Sequence, residues 1–345
     1  MRATTIYGKA DVRLADVPDP SIIEPTDAIV QVVAACICGS DLWAYRGVAQ
    51  RQPGQRIGHE FVGVISDVGA DVHDLRAGDF VIAPFVWADG TCAYCADGLF
   101  TSCPNGGFWG EPGSDGGQGE AVRVPYADAT LVRVPGGIPD QAAIPGLLAL
   151  SDVMATGHHA AVAAGVRPGS TVAVVGDGAV GLCGVLAAHR LGAERIIALG
   201  RNPARTTLAS RFGATDIVAA RGDDAIEAVE ELTGGFGAGA VLECVGTQQS
   251  LTTALSIARD GGRVGFVGVP HEVAEVDIKA MFNRNIALAG GVASARHYAD
   301  ELLRDVLAGK LDPSPVFDVT MPLSEVAHGY AAMDDRSALK VMLTP

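Results

Sequence analysis

A glycine-rich turn between an apolar strand and a helical segment constrains the fold of this chain more than any other feature. Residues 171–181 read TVAVVGDGAVG, so a run of buried-strand residues leads directly into the glycines. Gly176 permits a tight turn, Gly178 lets the backbone approach a ligand, and Gly181 allows the next helix to pack against the strand. The N-terminus of that helix offers N–H donors to phosphates. The sequence therefore predicts a dinucleotide-binding turn.

Further strand–helix steps follow this turn and extend the local motif into a domain. The predicted strands are Thr171–Val175, Arg195–Leu199, Asp216–Val218, Ala240–Cys244 and Gly262–Val267. The predicted helices between them are Gly178–Leu191, Pro203–Phe212, Asp224–Leu232 and Gln248–Ile257. Such alternation of strands and helices predicts a doubly wound parallel sheet.

The end of the second of these strands indicates which dinucleotide binds. Sites that prefer NAD place an Asp or Glu there, where it binds the ribose hydroxyls. Here the residues are Gly200, Arg201 and Asn202, with Arg205 one turn later. A guanidinium without a carboxylate favours the 2′-phosphate of NADP, because Arg forms charge-assisted bidentate bonds to phosphate. The alternative is that Arg201 is a solvated loop residue.

The rest of the chain is organised differently. With 345 residues the chain is too long for one ordinary core. Residues 1–139 read as short β-branched runs between Pro and Gly turn signals, which predicts a β-rich domain. The pattern changes after Gln141, and the helical character of residues 142–164 predicts a long helix there. A short terminal strand, Leu339–Leu343, is expected to return to that domain and to make the dinucleotide-binding domain an insertion. We therefore place the domains at 1–153 with 291–345 and at 154–290.

Charge and hydropathy exclude several classes of function. The formal net charge is -15, and so acidic a surface repels the phosphate backbone of nucleic acids. The most membrane-like stretch, 171–188, is interrupted by Asp177 and by glycines, so a buried strand–turn–helix explains it better than a membrane span. Residues 1–14 contain no apolar run typical of a secretory signal. We therefore expect a cytoplasmic protein with reduced thiols.

A cluster of cysteines points to a metal rather than to disulfides. The chain has 7 cysteines, and an odd number in a reducing compartment argues against a disulfide framework. Cys92, Cys95 and Cys103 supply most of a closed structural zinc site. Asp89, three residues before Cys92, is placed to be the fourth ligand. The alternative is that this loop folds without metal.

A second candidate metal set is spread along the chain. Cys38 and His59 each offer a good zinc ligand, a thiolate and an imidazole. Asp152 follows the apolar run LLAL at 147–150, where an unpaired carboxylate would be costly to bury. Coordination to a metal would remove that cost. Taken singly, the three residues could be a core cysteine, a hydrogen-bonded histidine and a helix surface group, but one shared site explains all of them.

These motifs resemble those of the zinc-dependent medium-chain alcohol dehydrogenases, and the resemblance covers essentially the whole chain. The segment GHEFVG at 58–63, with Gly69 and Val72, matches the family's zinc signature G-H-E-x2-G-x5-G-x2-V at every fixed position. The resemblance implies an α/β fold in which a GroES-like β-rich catalytic domain is interrupted by a Rossmann doubly wound parallel-sheet domain that binds NADP. It also implies an active site in the cleft between the two.

The resemblance assigns the metal ligands. It implies that Cys38, His59 and Asp152 bind a catalytic zinc, with Glu60 as a nearby, exchangeable ligand. Asp41 would accept a hydrogen bond from His59 and orient it. The loop that begins at Asp89 resembles the family's four-cysteine structural zinc lobe, with Asp in place of the first Cys.

The resemblance also assigns residues that handle the proton and the cofactor. Ser40 matches the Ser or Thr that accepts the alcohol proton. Trp43 stands where many members have a His that passes this proton to solvent, so the relay must run differently here. Gly200 matches a position that is Asp in NAD-using members, and Lys340 matches a basic residue that contacts the cofactor pyrophosphate.

The implied reaction is reversible hydride transfer between NADP(H) and an alcohol and its aldehyde or ketone, with zinc as the Lewis acid. Trp43, Phe85 and Trp109 lie on loops expected to border the cleft, where they would favour apolar or aromatic substrates. Ordinary packing is the alternative for these side chains. The resemblance alone favours a homotetramer, with a dimer as the alternative.

Three other functions compete with this one. A polyol or amino-alcohol dehydrogenase would need more polar groups near the zinc, and Trp43, Phe108 and Trp109 argue against it. A zinc-free quinone or enoyl reductase would lack the zinc ligands. A non-catalytic nucleotide-binding zinc protein would keep the glycine-rich turn but would not need an open metal site beside Ser40.

Overall fold

The structure, a computed structural model, describes residues 1–111, 113–271 and 273–345. The chain forms two compact units, Met1–Asp152 with Ser294–Pro345 and Val153–Ala293. In chain order the strands are β1 (Arg2–Gly8), β2 (Asp11–Asp16), β3 (Ala28–Cys36), β4 (Gln55–Arg56), β5 (Phe61–Val68), β6 (Phe80–Ala83), β7 (Val86–Trp87), β8 (Gly107–Phe108), β9 (Ala121–Val124), β10 (Val132–Arg133), β11 (Thr171–Val175), β12 (Arg195–Leu199), β13 (Asp216–Val218), β14 (Ala238–Glu243), β15 (Ala258–Phe266), β16 (Ala287–Gly290), β17 (Val319–Pro322) and β18 (Val341–Thr344).

The α-helices before Asp152 have four or five residues each, whereas those after it have seven to thirteen. In chain order they are α1 (Asp41–Tyr45), α2 (Ala93–Ala96), α3 (Ala127–Thr130), α4 (Ile144–Leu148), α5 (Val153–Ala163), α6 (Ala179–Arg190), α7 (Pro203–Arg211), α8 (Asp223–Leu232), α9 (Gln248–Ile257), α10 (Ile278–Arg284), α11 (Ala295–Leu307) and α12 (Val326–Asp334). No helix of the described residues is long and apolar enough to cross a membrane.

The first unit is built around strand β3, whose side chains are mostly buried. Its main sheet runs in the order β10-β6-β5-β3-β18-β17, and β9 also pairs with β3. The terminal strand β18 pairs with β3 through Met342 opposite Cys36, so the end of the chain returns to the first domain as predicted. Apolar side chains on alternate positions of these strands, such as Val30, Phe61 and Ile65, form one hydrophobic core.

The second unit is a parallel sheet with helices between its strands. The strand order is β13-β12-β11-β14-β15-β16, and every pairing in it is parallel. The central strands are continuous apolar runs, as expected when helices cover both faces of a sheet. The glycine-rich turn leaves the carboxyl end of β11 and leads into α6. The doubly wound sheet is therefore present as predicted.

The predicted helix at 142–164 is interrupted, and the interruption lies at a functional residue. A short 3-10 helix covers Ala149–Ser151, and α5 begins only at Val153. Between them Asp152 adopts φ -150° and ψ -75°, which are not helical dihedrals. Helical periodicity depends only on neighbouring residues and does not reveal this break. At the break the Asp152 side chain contacts His59, which lies far away in the sequence.

Candidate functional site

Antiparallel pairing of β3 with β5 brings the first two candidate zinc ligands together. Ala35 at the end of β3 lies opposite Phe61 at the start of β5, and Cys36 N donates to Glu60 O at 3.2 Å. Cys38 follows the end of β3 and His59 precedes the start of β5. Residues that are distant in the sequence therefore occupy the same end of a strand pair.

Gly58, the first residue of the zinc signature, is required by the local backbone. It has φ +92°, in the left-handed region that side chains disfavour, and a Cβ there would overlap the side chain of Gln118. Its carbonyl accepts a hydrogen bond from Gly117 N at 2.7 Å. The loop that carries His59 therefore lies directly on the segment that carries Gln118, and only glycine fits at this point.

Asp152 completes the candidate catalytic metal site. Its Oδ2 lies 3.3 Å from His59 Nε2 and 3.7 Å from Cys38 Sγ. One ligand atom from each of Cys38, His59, Glu60 and Asp152 lies within 4.8 Å of the others. A nitrogen, a sulfur and carboxylate oxygens at this separation are a donor set that suits zinc.

The surroundings shift the pKa values of two side chains in this cluster upward. Burial, together with the charges of Glu60 and Asp152, raises the pKa of the Cys38 thiol. Burial by itself would lower the pKa of His59, but Asp41 and Cys38 outweigh it and hold this pKa well above its usual value. The metal-free cluster therefore retains protons, which a divalent cation would replace.

Glu60 provides an independent test of whether a metal fits. Its Oε1 accepts a hydrogen bond from Lys340 Nζ at 2.7 Å, whereas its Oε2 is buried with no hydrogen-bond partner. A buried carboxylate oxygen without a partner is unfavourable, and a cation among Cys38, His59 and Asp152 would relieve it. The residues present therefore fit the zinc that the resemblance implies.

Lys340 was predicted to contact the cofactor pyrophosphate, and the structure places it beside this cluster. Its side chain is 1% exposed, and Nζ also donates to Ile37 O at 3.2 Å. Burial would lower the pKa of Lys340, but Cys36 and Glu60 outweigh it and raise this pKa well above the usual value. Lys340 therefore holds one oxygen of Glu60, and its predicted contact with the pyrophosphate stays a prediction.

A buried chain of hydrogen bonds fixes the orientation of His59. Asp41 Oδ1 lies 3.3 Å from His59 Nδ1, and Gln118 Nε2 donates to Asp41 Oδ2 at 3.3 Å. Tyr330 OH donates in turn to Gln118 Oε1 at 3.1 Å. With Nδ1 facing Asp41, the Nε2 atom faces Asp152 and Cys38, as a metal ligand requires. Neither Gln118 nor Tyr330 is marked by a sequence motif, because both lie far along the chain from the zinc signature.

Ser40 lies directly beside the candidate metal ligand Cys38. Its backbone N donates to Cys38 Sγ at 3.5 Å, and it immediately precedes helix α1. Its hydroxyl makes no capping hydrogen bond to that helix. Trp43 lies one turn further along, with the guanidinium of Arg46 5.9 Å from the centre of its ring. The side chain at the position that the resemblance assigns to the proton relay is therefore an indole, which cannot pass on a proton as imidazole does.

The predicted pocket aromatics occupy two different environments. Phe85 lies edge-on to His59 with ring centroids 6.4 Å apart, and Phe108 stacks on Phe85 at 6.3 Å. Trp109 is 3% exposed, packs against Phe61 at 5.2 Å and donates its indole N–H to Pro84 O at 2.8 Å. Phe85 therefore adjoins the candidate metal ligand His59, whereas the contacts of Trp109 are those of a core residue.

The cysteine loop forms a second cluster of ligand atoms. Atoms of Asp89, Cys92, Cys95 and Cys103 lie within 4.8 Å of one another. Cys92 Sγ is 3.5 Å from Cys95 Sγ, which in turn is 3.5 Å from Asp89 Oδ1. Asp89 N donates to Cys103 Sγ at 3.4 Å. Three thiols and one carboxylate therefore converge, which is a donor set that suits a structural zinc ion.

Hydrogen bonds stabilise the ionised form of the Asp89 side chain in this set. The side-chain amide of Asn105, followed by the backbone N–H groups of Thr91 and Cys92, holds the pKa of Asp89 well below its usual range. Burial raises the pKa of the Cys95 thiol to about 12. The carboxylate is therefore already ionised, whereas the Cys95 thiol needs a cation nearby to lose its proton.

The glycine-rich turn has the shape that a dinucleotide requires. Helix α6 begins at Ala179, and a Cβ at Gly181 would overlap the carbonyl of Gly176, so helix and turn pack closely. A Cβ at Gly178 would meet no atom within 4 Å, which leaves open space at the start of the helix. The turn therefore presents the N-terminus of α6 to a phosphate group.

Asp177, a residue of this turn, contacts the segment predicted to select the cofactor. Its Oδ2 accepts hydrogen bonds from Arg201 N at 3.0 Å and from Asn202 N at 3.2 Å. Arg205 Nη1 lies 3.9 Å from Asp177 Oδ1, whereas the Arg201 side chain is exposed. A Cβ at Gly200 would lie 2.6 Å from Cβ of Asp177, so a larger residue there would displace this carboxylate.

Two family models match successive parts of the chain. Residues 24–140 match the model described as the alcohol dehydrogenase GroES-like domain. Residues 179–308 match the model described as zinc-binding dehydrogenase. These matches confirm the predicted fold class, a GroES-like domain together with a nucleotide-binding domain.

Full-length relatives are similar over the whole chain. A protein of Mycobacterium tuberculosis named "Probable zinc-binding alcohol dehydrogenase" is 37% identical, covering 100% of this chain and 89% of the relative. A protein of Bacillus subtilis named "Uncharacterized zinc-type alcohol dehydrogenase-like protein" is 33% identical, covering 100% of both. Among solved structures, the alcohol dehydrogenase of Thermus sp. ATN1 has a TM-score of 0.91 at 35% identity, covering 100% of this chain and 99% of that one.

Proposed function

Because this chain belongs to the zinc-dependent medium-chain dehydrogenases/reductases, as a zinc-type alcohol dehydrogenase, we propose that it transfers hydride reversibly between NADP(H) and an apolar or aromatic alcohol and its carbonyl product. The observation that carries the proposal is the cluster of Cys38, His59 and Asp152 beside Ser40, in which Cys38 and Asp152 are buried and His59 is partly exposed. A steady-state screen of primary, secondary and aromatic alcohols with both dinucleotides tests it.

Each side chain of the cluster has a part in this reaction. A zinc ion held by Cys38, His59 and Asp152 would supply Lewis-acid chemistry, lowering the pKa of a bound hydroxyl and polarising a bound carbonyl. Asp41 holds His59 in the orientation that keeps Nε2 free for the metal. The Ser40 hydroxyl accepts the proton of the alcohol during oxidation and returns it during reduction. With Trp43 one turn away, that proton leaves by a route other than an imidazole.

The aromatic side of the site favours an apolar substrate. Phe85 and Phe108 form a stacked pair next to His59, and Trp43 adds a third aromatic group beyond Ser40. Burying a hydroxyl-rich ligand against such a surface would leave its polar groups without partners. Higher kcat/KM for benzylic than for polyol substrates supports this preference, and the reverse order supports the polyol or amino-alcohol alternative.

The cofactor proposal leads to a prediction about specificity. NADP(H) is expected to exceed NAD(H) in kcat/KM by more than about tenfold, because the Arg201 side chain is exposed at the end of β12, where it can pair with a 2′-phosphate. Replacing Arg201 with glutamine should reduce this ratio by about tenfold or more while changing kcat/KM for NAD(H) little.

Asp177 is the residue that would explain a preference for NAD(H) instead. Its carboxylate lies beside the Arg201–Asn202 backbone, where it could bind ribose hydroxyls instead. Equal efficiency with the two dinucleotides, or a preference for NAD(H) that the Asp177→Asn variant abolishes, would contradict NADP specificity. Arg211→Gln, at an exposed position at the end of α7, is the matched control for loss of one positive charge.

The second cluster is proposed to hold a structural zinc, and this proposal predicts a loss of metal and stability. Replacing Cys95 with alanine should remove about one zinc per chain and lower the melting temperature, because structural zinc contributes directly to folding. Metal analysis and thermal unfolding measure both effects. A wild-type chain that holds zinc only at the Cys38 cluster would show that this loop folds without metal.

A homotetramer, or alternatively a dimer, is proposed from the resemblance and from exposed apolar side chains. Phe282, Ile278 and Val292 are exposed in the unit whose edge strand is β16. Exposed apolar groups beside an unpaired strand edge favour pairing with a second copy.

We also propose the cytoplasmic location that the sequence leads us to expect.

A further inference from the structure

A cleft of about 720 Å³ lies at the amino-terminal edge of the parallel sheet in the Val153–Ala293 unit. The first residues of β11 and β12, Thr171 and Arg195, are paired in register and both line it. Ala240 of β14 and Arg263 of β15 are likewise paired and line it next to them. The cleft is therefore formed by the beginnings of four adjacent strands and the loops that precede them.

The charge of this cleft is opposite to that of the chain as a whole. Its lining residues include Arg167, Arg195, Arg259 and Arg263 and no Asp or Glu, although the net charge of the chain is -15. Among the described residues, no carboxylate forms an ion pair with Arg167, Arg259 or Arg263. Only Arg195 is paired, with Asp216 at 3.3 Å. Three guanidinium groups therefore face one cleft without a counter-charge.

Glycines make room for these long side chains. A Cβ at Gly239 would lie 3.4 Å from Arg259 Nε, and a Cβ at Gly165 would lie 3.2 Å from Arg263 Cδ. Both arginine stems therefore lie against bare backbone. At the rim Phe236 is 79% exposed, which adds an apolar surface beside the charged one.

This cleft is separate from the dinucleotide turn. The turn follows the carboxyl end of β11, whereas Thr171 at the cleft is the first residue of the same strand. A strand rises about 3.3 Å per residue, so the two ends of the five-residue strand β11 are about 13 Å apart. An anion bound among the arginines would therefore not occupy the phosphate position of the turn.

We propose that this cleft binds a small molecule that carries two or more phosphate groups, at a site distinct from the cofactor site. Guanidinium groups bind phosphate oxygens in bidentate pairs, and several arginines around one cleft match a ligand with several oxyanions. The cleft is large enough for a nucleotide-sized ligand, and the exposed ring of Phe236 can contact its apolar part. The acidic surface elsewhere makes such a basic cleft the favoured place for a polyanion.

The test is calorimetric titration of the chain with inorganic tripolyphosphate, after the cofactor site has been saturated with dinucleotide. We expect binding with a Kd below about 1 mM that weakens as salt is added. The double variant Arg259→Gln, Arg263→Gln should weaken it by about a hundredfold, about tenfold for each lost charged partner. Arg211→Gln, which removes a charge from the same unit outside the cleft, should bind as the wild type does.

Several results would overturn the proposal. These are no binding to the saturated wild type, unchanged binding to the double variant, or an equal loss in Arg211→Gln. A change of oligomeric mass in the double variant would also overturn it, because the cleft would then be an interface between copies. If the double variant does not fold, Arg167→Gln on the exposed loop before β11 takes its place, with a tenfold loss of binding expected and unchanged binding contradictory.

Discussion

Replacing Cys38 with alanine is expected to lower kcat/KM for the alcohol by about a thousandfold or more and to remove about one zinc per chain. Cys38 Sγ lies within the buried set completed by His59, Glu60 and Asp152, so its loss removes the one sulfur ligand. Lewis-acid catalysis stabilises the transition state by several kcal/mol, and each tenfold in rate corresponds to about 1.4 kcal/mol. Steady-state kinetics and metal analysis of the same preparation measure the two effects.

A buried cysteine outside the cluster serves as the control for this variant. Cys183 lies in helix α6 and is fully buried, so Cys183→Ala removes a comparable sulfur from a core. It should keep the zinc content of the wild type, with kcat/KM close to the wild-type value. A Cys38→Ala variant that retains both zinc and full activity would show that Cys38 is not a catalytic ligand.

Replacing Ser40 with alanine is expected to lower kcat by about a hundredfold or more while leaving the zinc content unchanged. Its backbone N–H contacts Cys38 Sγ, so the residue lies beside the ligand set, whereas its hydroxyl is not used to cap helix α1. The loss should therefore come from the missing proton acceptor rather than from a destabilised helix. Steady-state kinetics across pH, with thermal unfolding as a check of the fold, measure it.

Ser40→Thr distinguishes the chemistry of the hydroxyl from the shape of the site. It keeps a hydroxyl on Cβ and should recover most of the activity lost in Ser40→Ala. If both variants work as well as the wild type, the proton leaves the alcohol by another group and the role assigned to Ser40 is wrong.

The sequence was most informative where local rules determine the structure. Strands β11, β12 and β13 and helix α9 begin and end at the predicted residues, because continuous apolar runs and capping residues mark their bounds. The break between α4 and α5 was missed. Residues 142–164 have helical character throughout, whereas Asp152 leaves the helical conformation and contacts His59, which lies far away in the sequence.

The same limit applies to the site. The zinc signature marked His59 and Glu60, because spacing and residue type carry that information. It could not show that Tyr330 and Gln118 hold Asp41, or that Lys340 takes one oxygen of Glu60, because these partners meet only through tertiary packing. Asp177 was visible within the glycine-rich turn, but its contact with the backbone of Arg201 depends on how two strand ends lie side by side.

Enzymatic activity measured against metal content tests whether the cluster of Cys38, His59 and Asp152 holds a catalytic zinc. The purified chain is analysed for zinc, treated with a chelator, and assayed for carbonyl-dependent oxidation of NADPH before and after zinc is restored. Activity is expected to fall with loss of the zinc bound by Cys38, His59 and Asp152 and to return when zinc is added. Undiminished turnover by a chain shown to contain no zinc would contradict it.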